Sequence, residues 1–266
     1  MNTVTQIRDL IFGATMLAFV FTISLLFPLI GSFTLMFTPV PLIFYYAKLG
    51  RIKGLLLFAI ALLQVCATLL FAGAYFETAS FIVLGVFGIA IAEALLKKLS
   101  IEKIVTIGTF IIIAPVCIVL AYISFHLDAS PWQVVEKYIT KSIQESVKTY
   151  EGQWFQPADV VVFIKANIND ISHMFTKMFP SFIVLLAFFT AIANATVGRV
   201  MLEKINVPCS DFNELSLWKA PENLVWFFIA SASLTIFAPY EYLQTIGLNV
   251  LILCATIYVM QGFAIV

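Results

Sequence analysis

KGLLLFAIALLQVCATLLFAGAY, residues 53–75, decides the class of this protein. No charged side chain occurs between Lys53 and Glu77, and almost every residue between them is apolar. A helix rises about 1.5 Å per residue, so it needs roughly 20 apolar residues to cross a hydrocarbon core about 30 Å thick. This stretch therefore predicts a membrane-spanning helix.

Similar runs occupy most of the 266 residues. Hydrophobic residues make up 62% of the chain and charged residues 11%, against about 25% charged in soluble domains, and the mean hydropathy is +1.02. These values exclude a water-soluble globular protein. They predict an all-α, polytopic transmembrane helical bundle that forms one domain over residues 1–266. Its eight membrane segments are expected near residues 9–30, 33–48, 53–75, 79–97, 103–125, 179–202, 222–239 and 241–264.

The second segment is the weakest of the eight, because it is short and contains Pro39 and Pro41. A proline has no backbone N–H, and lipid offers no substitute for the hydrogen bond that is lost. We therefore expect this segment to be bent, broken or re-entrant, and to be shielded by neighbouring helices.

Basic residues are concentrated in alternate connections. If the N-terminus is cytoplasmic, the inner connections contain ten of the fifteen lysines and arginines, and the other five lie in one long outer segment. The positive-inside rule then predicts a multi-pass protein of the inner (cytoplasmic) membrane with a cytoplasmic N-terminus. The sequence stops on QGFAIV directly after the eighth segment, so we expect that it is truncated there or continues into a further helix.

The long outer segment, residues 127–178, has the composition of a soluble sequence. Apolar residues recur there at steps of three and four, first over 132–150 and then over 160–178, and YEGQWFQP separates the two stripes. This periodicity predicts an extracytoplasmic amphipathic helical hairpin. Its apolar faces either lie on the outer leaflet or cap the bundle, or they form a lid over a cavity or a docking face for a partner.

Few polar side chains occur at membrane depth, where a central charge costs about 2.5–3.5 kcal/mol on insertion scales and needs a partner. Glu93 lies four residues before Lys97, which favours a local ion pair at the end of the fourth segment. The alternative is a carboxylate that faces a ligand or couples to an ion. Asn249 and Gln261 are expected to form hydrogen bonds between helices.

Faces of small residues occur in the fourth and sixth segments. They are formed by Gly88 and Ala92 in the fourth and by Ala187, Ala191 and Ala195 in the sixth. Arg199 continues the sixth-segment face, and Asn194 lies on the adjoining stripe. Small residues let another helix approach closely, and such packing holds helices together in lipid. Each face is therefore expected to be buried against protein, either in the same chain or in a partner subunit.

The connection CSDFNELSLWKAPENLVW, residues 209–226, combines turn and anchor signals. Trp218 is typical of the membrane interface, and Pro221 followed by Glu222 is typical of the first turn of a helix. A cytoplasmic membrane-surface turn explains this segment. The alternative is a site for a cytoplasmic or peripheral partner.

The sequence contains no pattern of a catalytic or cofactor site. Its two histidines, His126 and His173, lack both the spacing and the carboxylate cluster of a metal site. A phosphate-binding loop, a nucleophile elbow and a basic patch with interleaved aromatics are also missing. We therefore predict a protein that is not an enzyme, holds no cofactor or metal and binds no nucleic acid. Any energy source must be an ion gradient or another polypeptide.

Four stretches, taken in order, resemble the YybS-like family of predicted bacterial integral membrane proteins, a domain of unknown function. They are FTPVPLIFYYAKLGRIKG (37–54), MFPSFIVLLAFFTAIANATVGRVMLEK (178–204), LWKAPENLVW (217–226) and NVLILCATIYVMQGFAIV (249–266). That family is distantly similar to the substrate-binding S components of energy-coupling-factor transporters and to the rod-shape protein MreD. The first likeness implies a small-molecule binding subunit that works with an ATPase module, and the second implies a scaffold in envelope assembly.

Two hypotheses follow. In the first, the chain is an S-component-like transport subunit whose mostly apolar cavity lies under the hairpin and holds a small molecule. In the second, it is a scaffold in the lipid bilayer that joins a membrane partner subunit, or further copies of itself, through the small-residue faces and the hairpin. A proline-broken segment is typical of transporter sites, but polar residues at mid-depth are scarce, which favours an apolar ligand or scaffolding over a charged substrate.

Overall fold

The computed structural model describes residues 3–26, 28–74, 77–150, 158–212 and 221–265. Within these ranges every regular element is a helix, which confirms the all-α class. The helices of these ranges are α1 (Thr3–Leu26), α2 (Pro28–Met36), α3 (Pro39–Leu49), α4 (Arg51–Ala72), α5 (Glu77–Leu96), α6 (Ile101–Leu127), α7 (Pro131–Tyr150), α8 (Ala158–Ala166), α9 (Ile168–Lys204), α10 (Leu224–Phe237) and α11 (Glu241–Ile265).

Six of the described helices are long and apolar enough to cross a membrane: α1, α4, α5, α6, α9 and α11. Two further apolar segments, Phe33–Leu49 and Leu224–Phe237, are shorter. Together these eight pieces correspond to the eight predicted segments. The chain is therefore a polytopic helical membrane protein.

The first helix break comes earlier than the sequence analysis predicts. α1 ends at Leu26 and α2 begins at Pro28, so the predicted end of the first segment at residue 30 is wrong. Proline suits the first position of a helix, because the N–H that it lacks would have no partner within the helix there. The chain then breaks a second time between Met36 and Pro39, as the two prolines of α3 predict.

The predicted second stripe of the hairpin, residues 160–178, is not one helix. α8 ends at Ala166, where the Asn167 side-chain amide donates a 2.8 Å hydrogen bond to the carbonyl of Phe163. The remainder of the stripe belongs to the 37-residue helix α9. At about 1.5 Å per residue α9 is about 56 Å long, so it extends well beyond a hydrocarbon core about 30 Å thick.

Contacts divide the chain into two units. The first unit consists of Met1–Pro115 and Leu186–Glu214, and the second consists of Val116–Leu185 and Leu215–Val266. α6 and α9 therefore each contribute one part to each unit. That residues 1–266 form a single transmembrane domain remains a prediction.

α3 is the central helix of the first unit, because both of its faces are buried. Leu42 and Tyr45 belong to a core formed with α1, α4 and the start of α5. Ile43 and Tyr46 belong to a second core, formed with α5, α6 and α9. The shielding that the sequence analysis expected for this segment is thus provided from two sides.

In the second unit, α10 and α11 form a closely packed pair. A Cβ atom added to Gly247 would lie 2.8 Å from the backbone nitrogen of Thr235, so only glycine fits this approach. The Gln244 side-chain amide closes the connection by donating to the carbonyl of Ala238 at 2.9 Å. This unit also contains α7, α8 and the N-terminal part of α9.

Close packing of α6 and α9 in the first unit generates a prediction. A Cβ atom added to Gly108 would lie 3.0 Å from the Cβ of Ala191, which is completely buried. Ala191→Leu should therefore lower the free energy of unfolding by about 1–3 kcal/mol through overpacking. Ala193→Leu, at a partly exposed position of the same helix, should change it by less than about 0.5 kcal/mol. Denaturant unfolding in detergent micelles measures both values, and equal losses would contradict this packing.

Candidate functional site

Asn194 supplies the donor that the break between α2 and α3 removes. In a continuous helix the carbonyl of Met36 would accept from the N–H of Val40, but here that N–H donates to the carbonyl of Phe37 at 3.1 Å. The completely buried amide of Asn194 donates instead to the Met36 carbonyl at 2.8 Å, and also to the carbonyl of Thr190 at 2.8 Å. The Met36 carbonyl therefore has a hydrogen-bond partner within the protein.

Small residues allow α5 and α9 to lie against this break. A Cβ atom added to Gly88 would lie 3.2 Å from the Cβ of Pro39, and one added to Gly198 would lie 3.0 Å from Cγ2 of Ile43. The four alanines that the sequence analysis singled out are also completely buried within this chain: Ala92, Ala187, Ala191 and Ala195. The small-residue faces of α5 and α9 are therefore buried within the chain itself.

Asn249 of α11 plays the same part beside Pro180, which lies inside α9, as Asn194 plays at the break before α3. Its side-chain oxygen accepts from the backbone N–H of Ser181 at 2.8 Å, and its amide donates to the carbonyl of Lys177 at 2.7 Å. A regular helix would join these two backbone groups to each other. The amide also donates to the carbonyl of Thr245 at 2.8 Å, so all of its hydrogens are used. Asn249 thus bridges the distortion that a proline ring imposes on the preceding turn.

Glu93 joins α5 to α3 and α4. The Arg51 guanidinium donates to both carboxylate oxygens, at 2.6 and 2.7 Å, and the Tyr46 hydroxyl donates at 2.8 Å. The Lys97 ammonium lies 3.9 Å away, so the local pair that the sequence predicts is present but is the weaker contact. Arg51 is far from Glu93 in sequence, and only its place in an inner connection indicated that the two could meet.

Other charged residues at the same helix ends also join neighbouring helices. The Lys48 ammonium lies 2.6 Å from a carboxylate oxygen of Asp9, which is buried, and the Lys53 ammonium donates to the side-chain oxygen of Gln6. These contacts place α1 against the connection between α3 and α4. Lys48 and Lys53, like Arg51, thus join neighbouring helices.

Arg199 anchors the segment that follows α9. Its guanidinium donates to Glu203 at 2.7 Å and to Asp211 at 2.9 Å, and it lies 5.0 Å from the ring centre of Phe212. Burial raises the pKa of the nearby Cys209 thiol, which favours its protonated form. Arg199 therefore has a structural environment rather than that of a substrate-binding cation.

The other candidate residues from the sequence analysis that the structure describes take no part in the contacts given above for Asn194, Asn249, Glu93 or Arg199. Gln261 is partly exposed on α11. Pro221 and Glu222 are exposed and lie in the turn before α10, where the N–H of Leu224 donates to the Pro221 carbonyl at 2.9 Å, so they precede the helix instead of forming its first turn. Trp218 lies outside the described residues.

An apolar groove of about 550 Å³ lies in the second unit, between α7, α8 and the N-terminal part of α9. Its volume is within the range of about 300–1,000 Å³ that is usual for ligand sites. The wall from α7 includes Ile139, Ile143 and Val147, which form part of the first stripe recognised in the sequence. The sequence analysis expected a cavity beneath the helical hairpin. The groove instead lies largely within the hairpin region itself.

Aromatic rings form the opposite wall of the groove. Phe175, Phe179 and Phe182 of α9 line it, with Val161 and Ile164 of α8 between the two long helices. The sequence analysis assigned Phe179 and Phe182 to the sixth membrane segment and therefore missed their role here. They follow Phe175 by four and seven residues, and this helical spacing is the signal that could have shown a shared face.

Three hydroxyl groups also reach the groove, from Tyr138, Ser142 and Ser146. The Ser146 hydroxyl donates to the carbonyl of Ser142 at 2.8 Å, so it serves its own helix. None of the described residues that line the groove is charged. Across the described part of the chain, no three histidine, cysteine, aspartate or glutamate side chains are grouped so that they could hold a metal ion.

The family described as "Predicted membrane protein (DUF2232)" matches residues 15–266. The match covers nearly the whole chain, so the chain belongs to this family. No curated protein and no solved structure matches it.

The Asn249 bridge predicts energetic coupling to Pro180. Asn249→Ala should lower the free energy of unfolding by about 1–3 kcal/mol, because a partly buried backbone N–H and carbonyl lose their partner. In a Pro180→Ala background the loss should be smaller by at least about 1 kcal/mol, since the helix can then join Ser181 to Lys177 directly. A double-mutant cycle of unfolding in micelles measures this coupling.

The control for this cycle is Asn223→Ala. Asn223 is exposed and its side chain makes no capping bond to α10, so the expected change is below about 0.5 kcal/mol. Strictly additive losses for Asn249→Ala and Pro180→Ala would show that Asn249 does not bridge the distorted turn.

The contacts of Glu93 give a second prediction. Glu93→Gln weakens the two-point pair with Arg51, whose side chain is 64% exposed, so we expect a loss of about 1–2 kcal/mol after solvent screening. Lys97→Gln removes an exposed contact at 3.9 Å and should change stability by less than about 0.5 kcal/mol. Unfolding midpoints of the two variants decide the matter: a larger loss for Lys97→Gln would make the local pair the dominant one.

Proposed function

We propose that this member of the family is a non-enzymatic membrane subunit that binds an apolar small molecule in the groove between α7, α8 and α9 and delivers it to a partner. The groove carries the proposal, since its volume suits a ligand and its lining is apolar. This role corresponds to that of an S component of an energy-coupling-factor transporter. It agrees with the resemblance noted in the sequence.

The chemistry at membrane depth favours an apolar ligand. Asn194 and Asn249 use both of their amide hydrogens on backbone carbonyls, and Glu93 is held by Arg51 and Tyr46. Moving one of these groups to a substrate would leave a buried partner unsatisfied, at a cost of about 1–3 kcal/mol. The groove requires no such exchange.

We further propose that the chain lies in the inner membrane with its N-terminus in the cytoplasm. The ends of α1, α3, α4 and α5 that carry Lys48, Arg51, Lys53 and Lys97 meet in one charged region of the first unit. The positive-inside rule assigns such a region to the cytoplasmic side. The opposite ends of the helices would then face the exterior.

A scaffold role is the second candidate. The contacts of the small residues count against a scaffold that joins its partner through the small-residue faces. The faces containing Gly88 and Ala191 are buried in the chain's own core. A partner would have to bind helix surfaces that face lipid. We therefore favour ligand binding over scaffolding.

A pair of neighbouring substitutions tests the groove. Val161 lines it, whereas Val162 on the same helix is 65% exposed and does not. Val161→Trp should weaken the binding of a molecule in the groove about tenfold or more, because the larger side chain fills the groove. A tenfold loss of affinity corresponds to about 1.4 kcal/mol. Val162→Trp should leave the binding unchanged. Native mass spectrometry of protein released from native membranes measures bound mass and partner subunits together. Wild-type protein that carries no bound molecule in such spectra would overturn the proposal.

A further inference from the structure

We propose that the occupant of the groove is a hydrocarbon chain of a membrane lipid, which leaves the bilayer beside α9 and lies between α7, α8 and α9. This inference rests on the proposed function and names the ligand class. It differs from a water-soluble substrate of the kind that the S-component likeness alone would allow.

The walls of the groove favour an apolar ligand. The described residues that line it include no charged side chain, and the Ser146 hydroxyl is already bonded to the carbonyl of Ser142. Lys141, which precedes the lining residue Ser142 on α7, lies 3.7 Å from Glu145. A charged molecule that entered would lose its hydration without gaining an ion pair from these residues, whereas a hydrocarbon chain would only leave one apolar environment for another.

The position of the groove along α9 matches the boundary of the membrane. Between Lys177 and Arg199 the helix carries no charged residue, and residues 178–198 rise about 30 Å, which is the thickness of a hydrocarbon core. Phe175 therefore lies at the interface, and Phe182 lies about one turn inside the hydrocarbon. The α9 wall of the groove crosses from the headgroup level into the lipid chains.

The rim of the groove offers an apolar path for the chain. Phe175 and Phe182 are 41% and 42% exposed, and their ring centres lie 6.4 Å apart on the same face of α9. Because these rings contact lipid at one edge and the groove at the other, a hydrocarbon chain can move between them without passing a polar group. On α9 the nearest cation, Lys177, lies 2.8 Å from Glu241, so no unpaired charge on this wall selects a headgroup.

Photo-crosslinking tests this inference directly. The full chain is reconstituted in vesicles that contain phosphatidylglycerol with a diazirine near the end of one acyl chain, and the labelled peptides are located by mass spectrometry. We expect label on α7 at Ile139 or Ile143, although α7 is too polar to lie in the hydrocarbon core. Phe110 of α6, which is 71% exposed, serves as the internal reference for contact with bulk lipid.

Two tryptophan variants and a matched control complete the experiment. Val161→Trp and Ile143→Trp should each reduce label on the rest of α7 about tenfold relative to Phe110, because they fill the groove. Val162→Trp should leave the ratio unchanged. Replacing phosphatidylglycerol with the corresponding phosphatidylcholine probe should alter the ratio less than about twofold, since the lining residues that the structure describes carry no charge.

Four results would overturn the inference. Label on α7 that persists in both filled variants would mean that the amphipathic surface simply lies on the bilayer. A headgroup effect well above twofold would mean that charge recognition places the lipid. Unlabelled α7 together with an apolar molecule other than a lipid in native mass spectra, displaced by Val161→Trp, would leave the proposed function standing with a different ligand. Unlabelled α7 together with no bound molecule at all would overturn both this inference and the proposed function.

Discussion

Every backbone N–H and carbonyl inside a membrane must find a partner within the protein, and this constraint governs how the chain accommodates its prolines. Pro39 interrupts one apolar segment and Pro180 distorts the turn before it in another. In each case an asparagine from a distant helix supplies the missing hydrogen bonds: Asn194 at the first break and Asn249 at the second. Without them, each site would expose an unsatisfied polar group to hydrocarbon.

The first break determines how the first unit is built. The chain turns between Met36 and Pro39, so α3 is a separate short helix. It packs between the two cores of this unit: Ile43 belongs to one core and Leu42 to the other. Gly88 then allows α5 to approach the break closely. Glu93, which the sequence analysis considers as a possible ligand-facing carboxylate, is likewise held by contacts between the helices of this unit.

Hydrophobic length and proline positions are local signals, so the spanning helices and the break before Pro39 could be predicted from the sequence. The partners of the polar residues could not. Asn194 meets the carbonyl of Met36, which lies 158 residues earlier, and helix packing rather than any nearby pattern brings the two together. The same holds for Glu93, whose four-residue spacing to Lys97 concealed the closer contact with Arg51.

The second break is also connected to the groove. Pro180 lies between Phe179 and Phe182, two residues of the aromatic wall, and a proline reorients the turns on either side of it. Because Asn249 holds Ser181 and Lys177 on either side of the proline, it fixes the direction in which these rings point. The shape of an entirely apolar wall therefore depends on one polar side chain, and that side chain is held in place by the need to satisfy the backbone in lipid.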